Sequence, residues 1–348
     1  MSGDKPALLG MNMDELTDAM AALGEARFRA GQVAGWLMKG RGFEDMANLP
    51  RALRCKLEER FTVGGVRIVE TRCSEKDDTE KYLYALEDGN VVEGVLLSYR
   101  HGNTLCVSTQ VGCRMGCLFC ASTKAGLVRN LTAGEMLSQV ISANAAHGEG
   151  RHVTNLVLMG SGEPLDNYGN VLKFLRLAAS PDGLGISPRN MSLSTCGLPE
   201  AMERLALEGL PLTLCLSLHS PYDEARASLI PAARAYPLSR VMEALRRYVE
   251  ATGRRAIIEY ALIDGVNDRE QDALALARLL SGVLCHVNLI PLNTVAEAGL
   301  AGSKPAAVQR FLTELKRLGV SATVRRTLGE DIEGACGQLR RRHLEGKI

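Results

Sequence analysis

The stretch TLCVSTQVGCRMGCLFC, residues 104–120, decides the fold class of this chain. It begins with an apolar run that predicts a β-strand, and it ends in a loop that carries Cys113, Cys117 and Cys120 at the spacing C-x3-C-x2-C. Three thiolates so spaced can bind three irons of a cubane iron–sulfur cluster, which usually takes four cysteines. The fourth iron is then left open for a substrate or cofactor, as one position is left open in catalytic zinc sites.

The composition is that of a globular protein without a strong electrostatic bias. The chain has 348 residues, 46% of them apolar, and a net charge of +1, so it can form its own core and has no overall basic field for nucleic acid. Arginines do cluster at 325–326 and 340–342, which is typical of a solvated helix face. We find no signal peptide and no membrane-spanning apolar run, so we expect a cytoplasmic protein whose ten cysteines are reduced or metal-bound.

Changes in hydrophobic period divide the chain into three predicted parts. Residues 1–66 have a helical period and form an N-terminal helical domain, with helices expected at 13–23, 29–38 and 45–61. Residues 67–98 alternate with period two between glycine-rich turns, which predicts a β-strand extension. Residues 99–348 form the core domain.

Strands and helices alternate in the core domain. We expect strands at 104–109, 155–159, 190–194, 212–217, 256–263, 286–291 and 321–326. We expect helices between them at 132–147, 168–179, 199–208, 238–252, 268–281 and 305–318. Six successive βα units predict a parallel sheet that is covered by helices and closes into a complete or partial barrel. Chemistry in such barrels lies in the loops after the carboxyl ends of the strands, which is where the three-cysteine loop lies.

Other polar segments also follow predicted strands. MGSGEPL, residues 159–165, follows the second strand, and no Gly-Lys-Ser/Thr comes after it, so it is not a P-loop. The segments 192–195, 216–219 and 290–293 carry small polar groups just past apolar runs. Each one alone indicates a helix cap or a loop contact, but together, at one edge of a sheet, they predict a binding rim.

The three cysteines also have two simpler interpretations, a structural zinc site or coincidence. Structural zinc takes four ligands, and a second cysteine or histidine pair at the usual spacing is missing from this sequence. Phe119, and the glycines at 112 and 116 that let the backbone turn, suit a loop around a bulky cluster. We therefore favour the cluster.

The three-cysteine motif, with its aromatic residue before the third cysteine, resembles the radical S-adenosylmethionine (SAM) superfamily. In these enzymes SAM binds the open iron, and one electron cleaves it to a 5′-deoxyadenosyl radical. A G-G-E-P-like segment of the superfamily meets the amino group of SAM, and Gly162 and Glu163 match its GE pair. Ser161 departs from the residue that many relatives have, and this leaves the pair intact.

A longer ordered set of segments closely resembles the RlmN/Cfr family of radical SAM RNA methyltransferases, and within it the RlmN-type adenine-C2 enzymes. The resemblance runs from about Val91 to Leu339, through residues 104–113, 129–132, 159–167, 193–199, 217–221, 290–293 and 334–339. It implies an α/β fold, a partial (β/α)6 barrel with a small N-terminal helical domain that binds RNA and a β-rich extension. It also implies a 4Fe–4S cluster on the three cysteines and SAM contacts from Gly162, Glu163, Ser194, Ser217, Leu218, His219 and Asn293.

The same resemblance implies roles for three further residues. A first SAM would methylate Cys336, and the radical from a second SAM would take a hydrogen from that methyl group. The resulting carbon radical would add to C2 of adenine, an electron-poor carbon that cannot attack a sulfonium directly. Glu93 would accept a proton. Cys106 would assist deprotonation and then release the product by forming a transient disulfide with Cys336.

The implied substrates are an adenosine of the peptidyl-transferase centre in 23S rRNA and an adenosine of certain tRNAs. A flavodoxin or ferredoxin is expected as the electron donor, and the protein is expected to be a monomer. Two alternatives remain open. One is Cfr-like methylation at C8 of the same rRNA adenosine, and the other is a zinc-stabilised RNA-binding module without catalysis.

Overall fold

The N-terminal part of the protein folds into three helices. A computed structural model describes residues 5–148, 152–292, 299–326 and 328–332. The helices are α1 (Met13–Ala22), α2 (Arg29–Leu37) and α3 (Arg51–Arg60). The first two confirm the prediction, but a single third helix over 45–61 is wrong, because Phe43–Asp45 forms a separate 3-10 turn. Helix α3 begins only after Pro50, which lacks an N–H to continue a helix from before it.

Four antiparallel strands follow the helices. They are β1 (Val66–Cys73), β2 (Glu80–Leu86), β3 (Val91–Tyr99) and β4 (Gly102–Cys106). In the turn between β2 and β3 the Asn90 amide donates to the Asp88 carboxylate over 3.0 Å. Strand β4 pairs with β3 on one side and with the parallel part of the same sheet on the other, so the β-rich extension is continuous with the main sheet.

The strand predicted at 104–109 ends three residues early, and a second, separate strand follows it. Strand β4 ends at Cys106, and Gln110–Gly112 forms β5, which pairs antiparallel with β6 (Leu127–Asn130) in a separate two-stranded sheet. The chain leaves the main sheet because the amides of Thr109 and Gln110 both donate to the Ser161 carbonyl, over 2.8 and 3.0 Å. The three-cysteine loop connects β5 to β6 and therefore lies outside the main sheet, beyond its carboxyl edge.

The remaining strands form a parallel sheet in chain order after β4. They are β7 (Val153–Leu158), β8 (Met191–Thr195), β9 (Thr213–Ser217), β10 (Ala256–Leu262), β11 (Cys285–Pro291) and β12 (Ala322–Val324). The helices are α4 (Ala133–Ala146), α5 (Tyr168–Ala179), α6 (Pro199–Ala206), α7 (Asp223–Leu229), α8 (Leu238–Thr252), α9 (Glu270–Leu279) and α10 (Pro305–Arg317). The predicted α/β fold, with its alternating strands and helices, is confirmed. Helix α7 was not predicted.

The two faces of the parallel sheet differ in chemistry. Side chains that point towards the helices are apolar and fully buried, for example Leu105, Leu156, Leu193, Leu214, Ile258 and Val287. The register places polar side chains on the opposite, inner face, among them Asn155, Ser192, Thr213, Glu259, Asn288 and Thr323. The hydrophobic core thus lies between sheet and helices, and the inner face is the one suited to a polar ligand. In the described part of the chain we find no helix long and apolar enough to cross a membrane.

Candidate active site

The three-cysteine loop is a tightly folded segment. Cys113 is buried, whereas Cys117 and Cys120 are half-buried. The Cys113 amide donates to the Gly126 carbonyl over 3.0 Å, which brings the two ends of the loop together. Gly112 has φ 82° and lies against the backbone of Gly126, so that a Cβ at position 112 would be 1.9 Å from the Gly126 carbonyl oxygen. Only glycine fits at this position without moving the backbone that carries Cys113.

We therefore expect Gly112→Ala to displace the loop and to lose most of the bound iron. Gly126→Ala is the matched control, because Gly126 also has a positive φ, 66°, but a Cβ there meets nothing within 4 Å. The control variant is destabilised only by the backbone strain of an alanine at positive φ, roughly 1–2 kcal/mol. Iron and sulfide per chain after anaerobic reconstitution measure the difference. Equal iron in both variants would contradict a requirement for this close approach.

Helix α7 and the turn after it form backbone hydrogen bonds with the three-cysteine loop. The Leu118 amide donates to the Leu229 carbonyl over 3.0 Å, and the Ala232 amide donates to the Met115 carbonyl over 3.2 Å. Cys113 and Met115 belong to a small apolar cluster of their own, with Cys196, Leu229, Ile230 and Ile263. The position of the loop therefore depends on a helix that the sequence pattern did not predict.

The thiols of the loop lie in an environment that opposes their ionisation. Burial raises the pKa of Cys113 to about 12; the Met115 amide lowers it, and negative charge on Glu163, Cys120 and Asp166 raises it. Burial also raises the pKa of Cys117, and the other two thiols of the loop add to the effect. These groups become thiolates only beside a strong cation, and metal binding releases such protons.

The donor set suits an iron–sulfur cluster. Within the described ranges, no group of three or more His, Cys, Asp or Glu side chains is arranged to hold a metal ion. The loop carries three soft thiol donors that are close enough to influence one another electrostatically. Such donors suit an iron–sulfur cluster, because the ligands of a cluster bind different irons and lie farther apart than the ligands of a single ion. The residues present therefore fit the group.

Gly162 and Glu163 form a buried corner next to the loop. Gly162 has φ 110°, and a Cβ there would lie 2.6 Å from the Cβ of Gln110. The Glu163 carboxylate accepts from the Cys196 amide over 2.8 Å and from the Leu165 amide over 3.1 Å. Burial, the largest influence, raises the pKa of Glu163, and these amides lower it. Glu163 thus ties the loop after β7 to the loop after β8, and its predicted contact with SAM stays a prediction.

The predicted rim residues on β8 and β9 lie close together. Ser194 and Ser217 point to the inner face, and their hydroxyl oxygens are 3.3 Å apart. Leu218 is fully buried, and its amide donates to the Glu259 carbonyl over 3.1 Å. The rim is therefore assembled from the carboxyl ends of neighbouring strands, as the sequence pattern predicted.

His219 connects this rim to the three-cysteine loop. Its backbone has φ 57°, and its Nδ1 accepts from the Ala261 amide over 2.9 Å. Its ring and that of Phe119 in the loop form a T-shaped contact, with ring centres 4.8 Å apart. Burial, with a smaller effect from Arg226, lowers the pKa of His219 to about 3. The imidazole is therefore neutral at physiological pH and carries its proton on Nε2.

Cys106, Glu93 and Lys81 form a second group on the inner face. Cys106 is opposite Val95 in the β3–β4 pair, and Glu93 is two residues from Val95 on the same face. This diagonal places the Cβ atoms of Cys106 and Glu93 roughly 7 Å apart. The buried carboxylate of Glu93 forms an ion pair with Nζ of Lys81 over 3.1 Å. Two further predicted site residues, Asn293 and Cys336, lie outside the described residues.

The buried ion pair makes a prediction about stability. We expect Lys81→Met to lower the free energy of unfolding by about 3 kcal/mol, because the buried Glu93 carboxylate then loses its ion pair with Nζ of Lys81. Urea denaturation of the apoprotein measures this. The double variant with Glu93→Gln is the control and should recover part of the loss. Simple additivity of the two single losses would contradict a direct coupling.

Three buried charged residues at the site were not identified from the sequence. Lys81 and Arg226 lie in segments whose charges indicate solvent exposure, and nothing in those segments marks them as buried. Glu259, which accepts from the Asn288 amide group over 2.9 Å, did carry a signal. It interrupts the apolar strand 256–262, and a charge inside a buried strand indicates an inward-facing polar group.

The chain is similar to known proteins over nearly all of its length. Residues 107–277 match the family model described as the radical SAM superfamily, and residues 7–63 match the ribosomal RNA large subunit methyltransferase N-terminal domain. The protein named "Probable dual-specificity RNA methyltransferase RlmN" from Clostridium perfringens strain 13 is 48% identical, over 98% of both chains. The protein of the same name from Thermoanaerobacter sp. strain X514 is 47% identical, over 97% of this chain and 98% of its own.

A solved structure agrees with these relatives. The crystal structure of a radical SAM methyltransferase from Sphaerobacter thermophilus superposes with a TM-score of 0.92 at 42% identity, over 96% of this chain and 98% of the other. Sequence identity at this level over both the N-terminal domain and the core assigns the family without reference to any single motif. The chain belongs to the RlmN family of dual-specificity radical SAM RNA methyltransferases.

Proposed function

We propose that the protein methylates C2 of adenosine in 23S rRNA, at the peptidyl-transferase centre, and in tRNA, through an S-methylcysteine intermediate and with two SAM per turnover. The observation that carries the proposal is the position of Cys106. A buried thiol lies on the inner face of the sheet, on the strand that leads into the three-cysteine loop and next to the strand that carries Glu93. Methylation with a simple acceptor needs no second thiol there.

The cofactors follow from the family and from the residues present. The three cysteines of the loop would hold a 4Fe–4S cluster, and SAM would meet Gly162, Glu163, Ser194, Ser217, Leu218, His219 and Asn293. When bound, the cluster supplies the electron that cleaves one SAM to methionine and a 5′-deoxyadenosyl radical. The neutral His219 ring contacts both Ala261 and Phe119 and so fixes the position of the three-cysteine loop relative to the strand-end residues.

The carbon transfer is carried out by two cysteines of this chain. Cys336 takes the methyl group of the first SAM, leaving S-adenosylhomocysteine, and then gives one hydrogen atom of that methyl to the radical. The remaining methylene carbon bonds to C2 of adenine. The adduct then loses the C2 proton and one electron, which the cluster oxidised in the cleavage of SAM would accept. The Cys106 thiolate then attacks the Cys336 sulfur. The electrons of the broken carbon–sulfur bond stay on carbon, which takes up a proton and becomes the methyl product.

Glu93 is the proton acceptor in this proposal. Its carboxylate is buried on the same face as Cys106 and forms an ion pair with the Lys81 ammonium over 3.1 Å. In this proposal its place on the inner face beside Cys106 lets it take the C2 proton or that of Cys106. The disulfide left between Cys106 and Cys336 must be reduced before the next turnover.

The rest of the proposal concerns partners and organisation. Residues 1–66 would be an accessory RNA-binding domain, 67–98 a β-strand extension, and 99–348 the catalytic core. The protein would act as a monomer in the cytoplasm, with a flavodoxin or ferredoxin as electron donor. Enzymes that modify a base take it out of its stack, so the adenosine would reach the inner face of the sheet as a flipped-out nucleotide.

The stoichiometry of SAM products tests the radical route. Each methylated nucleoside should be accompanied by one S-adenosylhomocysteine and one 5′-deoxyadenosine, counted by chromatography after anaerobic turnover with RNA and a reductant. Methylation without 5′-deoxyadenosine would contradict the radical step. Tightly bound zinc with no iron–sulfide chromophore would instead favour a non-catalytic RNA-binding module.

A further inference from the structure

Arg226 is a buried cation whose hydrogen-bonding groups are only partly used. It lies in helix α7 and its side chain is 1% exposed. Its Nη2 donates to the Cys196 carbonyl. Nε and Nη1 are buried and have no hydrogen-bond partner within the described part of the chain. Leaving a buried polar group without a partner costs free energy, more so on a charged side chain, so these N–H groups call for an acceptor.

The surroundings of Arg226 point to the side on which that acceptor lies. Leu229 lies three residues after Arg226 in the same helix. Its carbonyl accepts from the amide of Leu118, the residue that follows Cys117 in the loop. The pKa of Arg226 is lowered by burial and raised by Cys196, Asp223 and Cys117, so one thiol of the loop is within its electrostatic reach. A guanidinium keeps its proton even when buried. Arg226 is thus a fixed positive charge behind the three-cysteine loop.

The acidic side chains near Arg226 form hydrogen bonds with other residues. The Asp223 carboxylate accepts from the Leu238 amide over 2.7 Å, and Glu163 accepts from the amides of Cys196 and Leu165. Neither is hydrogen-bonded to Nε or Nη1 of Arg226, which have no partner in the described residues. The guanidinium therefore carries a positive charge and two N–H groups without a partner in the described residues, on a helix that packs against the three-cysteine loop.

We propose that Arg226 donates these N–H groups to the sulfur atoms of the iron–sulfur cluster on its Cys117 side and raises the reduction potential of that cluster. This inference rests on the proposed function, because it requires a cluster on the loop. Hydrogen bonds to the sulfurs and nearby positive charge stabilise the reduced form, which carries one more negative charge. In this proposal Arg226 contacts the cluster, rather than RNA or SAM, and acts on the electron transfer through it.

The test is a redox titration of the reconstituted holoenzyme without SAM, followed by electron paramagnetic resonance. We expect Arg226→Gln to shift the midpoint to a more negative potential, and Arg226→Lys, which keeps the charge but loses the planar N–H fork, to shift it less. Arg254→Gln is the matched control. Arg254 also has a buried Nε without a partner in the described residues, but it donates to Thr213 at the amino end of β9, the far end of the sheet. Its midpoint should equal that of the wild type.

Each result bears on a different claim. Variants with a full complement of iron and an unchanged midpoint would overturn the inference and leave the proposed function standing. A wild-type protein that takes up no iron and sulfide would overturn the proposed function, and the inference with it. If the Gln variant does not assemble, the Lys variant decides: a midpoint equal to that of the wild type together with weakened SAM binding would mean that Arg226 serves SAM and would overturn the inference.

Discussion

Cys106→Ala will leave the protein covalently attached to its RNA substrate. In the proposed route the Cys106 thiol attacks the Cys336 sulfur. Without it, the bond between that sulfur and the carbon attached to adenine C2 would stay intact, and the methyl product would not be released. Product formation should fall below detection while the adduct accumulates to about one RNA per chain. Denaturing gel electrophoresis with labelled RNA measures the adduct, and nuclease digestion with mass spectrometry should locate it at Cys336.

Cys215→Ala is the control for this variant. Cys215 is also a buried cysteine on the inner face of the sheet, and we assign it no role. Removing its sulfur should leave turnover and release of RNA unchanged. Normal turnover by Cys106→Ala would mean that another group resolves the adduct. Trapping by both variants would point to general disturbance of the inner face.

Cys336→Ala will abolish both methylation of the protein and methylation of RNA. In the proposed route the Cys336 sulfur carries the carbon that reaches adenine, so an alanine there would leave the first SAM without an acceptor. The effect should be complete, because alanine has no sulfur to form the sulfur–carbon bond that is later cleaved. Intact-protein mass spectrometry, before and after incubation with SAM, should show a methyl group on the wild type and none on the variant.

The variant should still bind its cluster. Iron and sulfide should remain at the wild-type level, because Cys336 is not one of the loop thiols. Cys55→Ala, which removes an exposed thiol on α3, should behave as the wild type in every assay. RNA methylation retained by Cys336→Ala would overturn the role of this cysteine as carbon carrier.

The fold was largely predictable because the parallel strands and their helices have strong periodic patterns. The runs at 155–159 and 256–263 are apolar on the face that packs against helices, and α4 begins at a capping box in which the Glu135 amide donates to the Thr132 hydroxyl over 3.1 Å. The errors arise where tertiary contacts decide. The break of the first strand after Cys106 depends on the Ser161 carbonyl, which is distant in sequence.

The site was predictable where a motif fixes the chemistry and unpredictable where packing does. The three cysteines and the strand-end residues Ser194 and Ser217 could be predicted, because carboxyl ends of parallel strands meet at one edge. Arg226 could not be, because a seven-residue helix with acidic residues at its start resembles a solvated segment. Its burial follows from the packing of α7 against the three-cysteine loop, a contact that no local pattern reports.

Identification of the methylated nucleoside tests the central claim most directly. RNA that contains the peptidyl-transferase-centre segment is incubated anaerobically with the reconstituted protein, SAM and a reductant, digested to nucleosides, and compared by mass spectrometry with standards of the two isomers. We predict 2-methyladenosine. The appearance of 8-methyladenosine would assign the chain to the Cfr-like reaction, and the absence of any methyladenosine from an iron-loaded protein would contradict the proposed function.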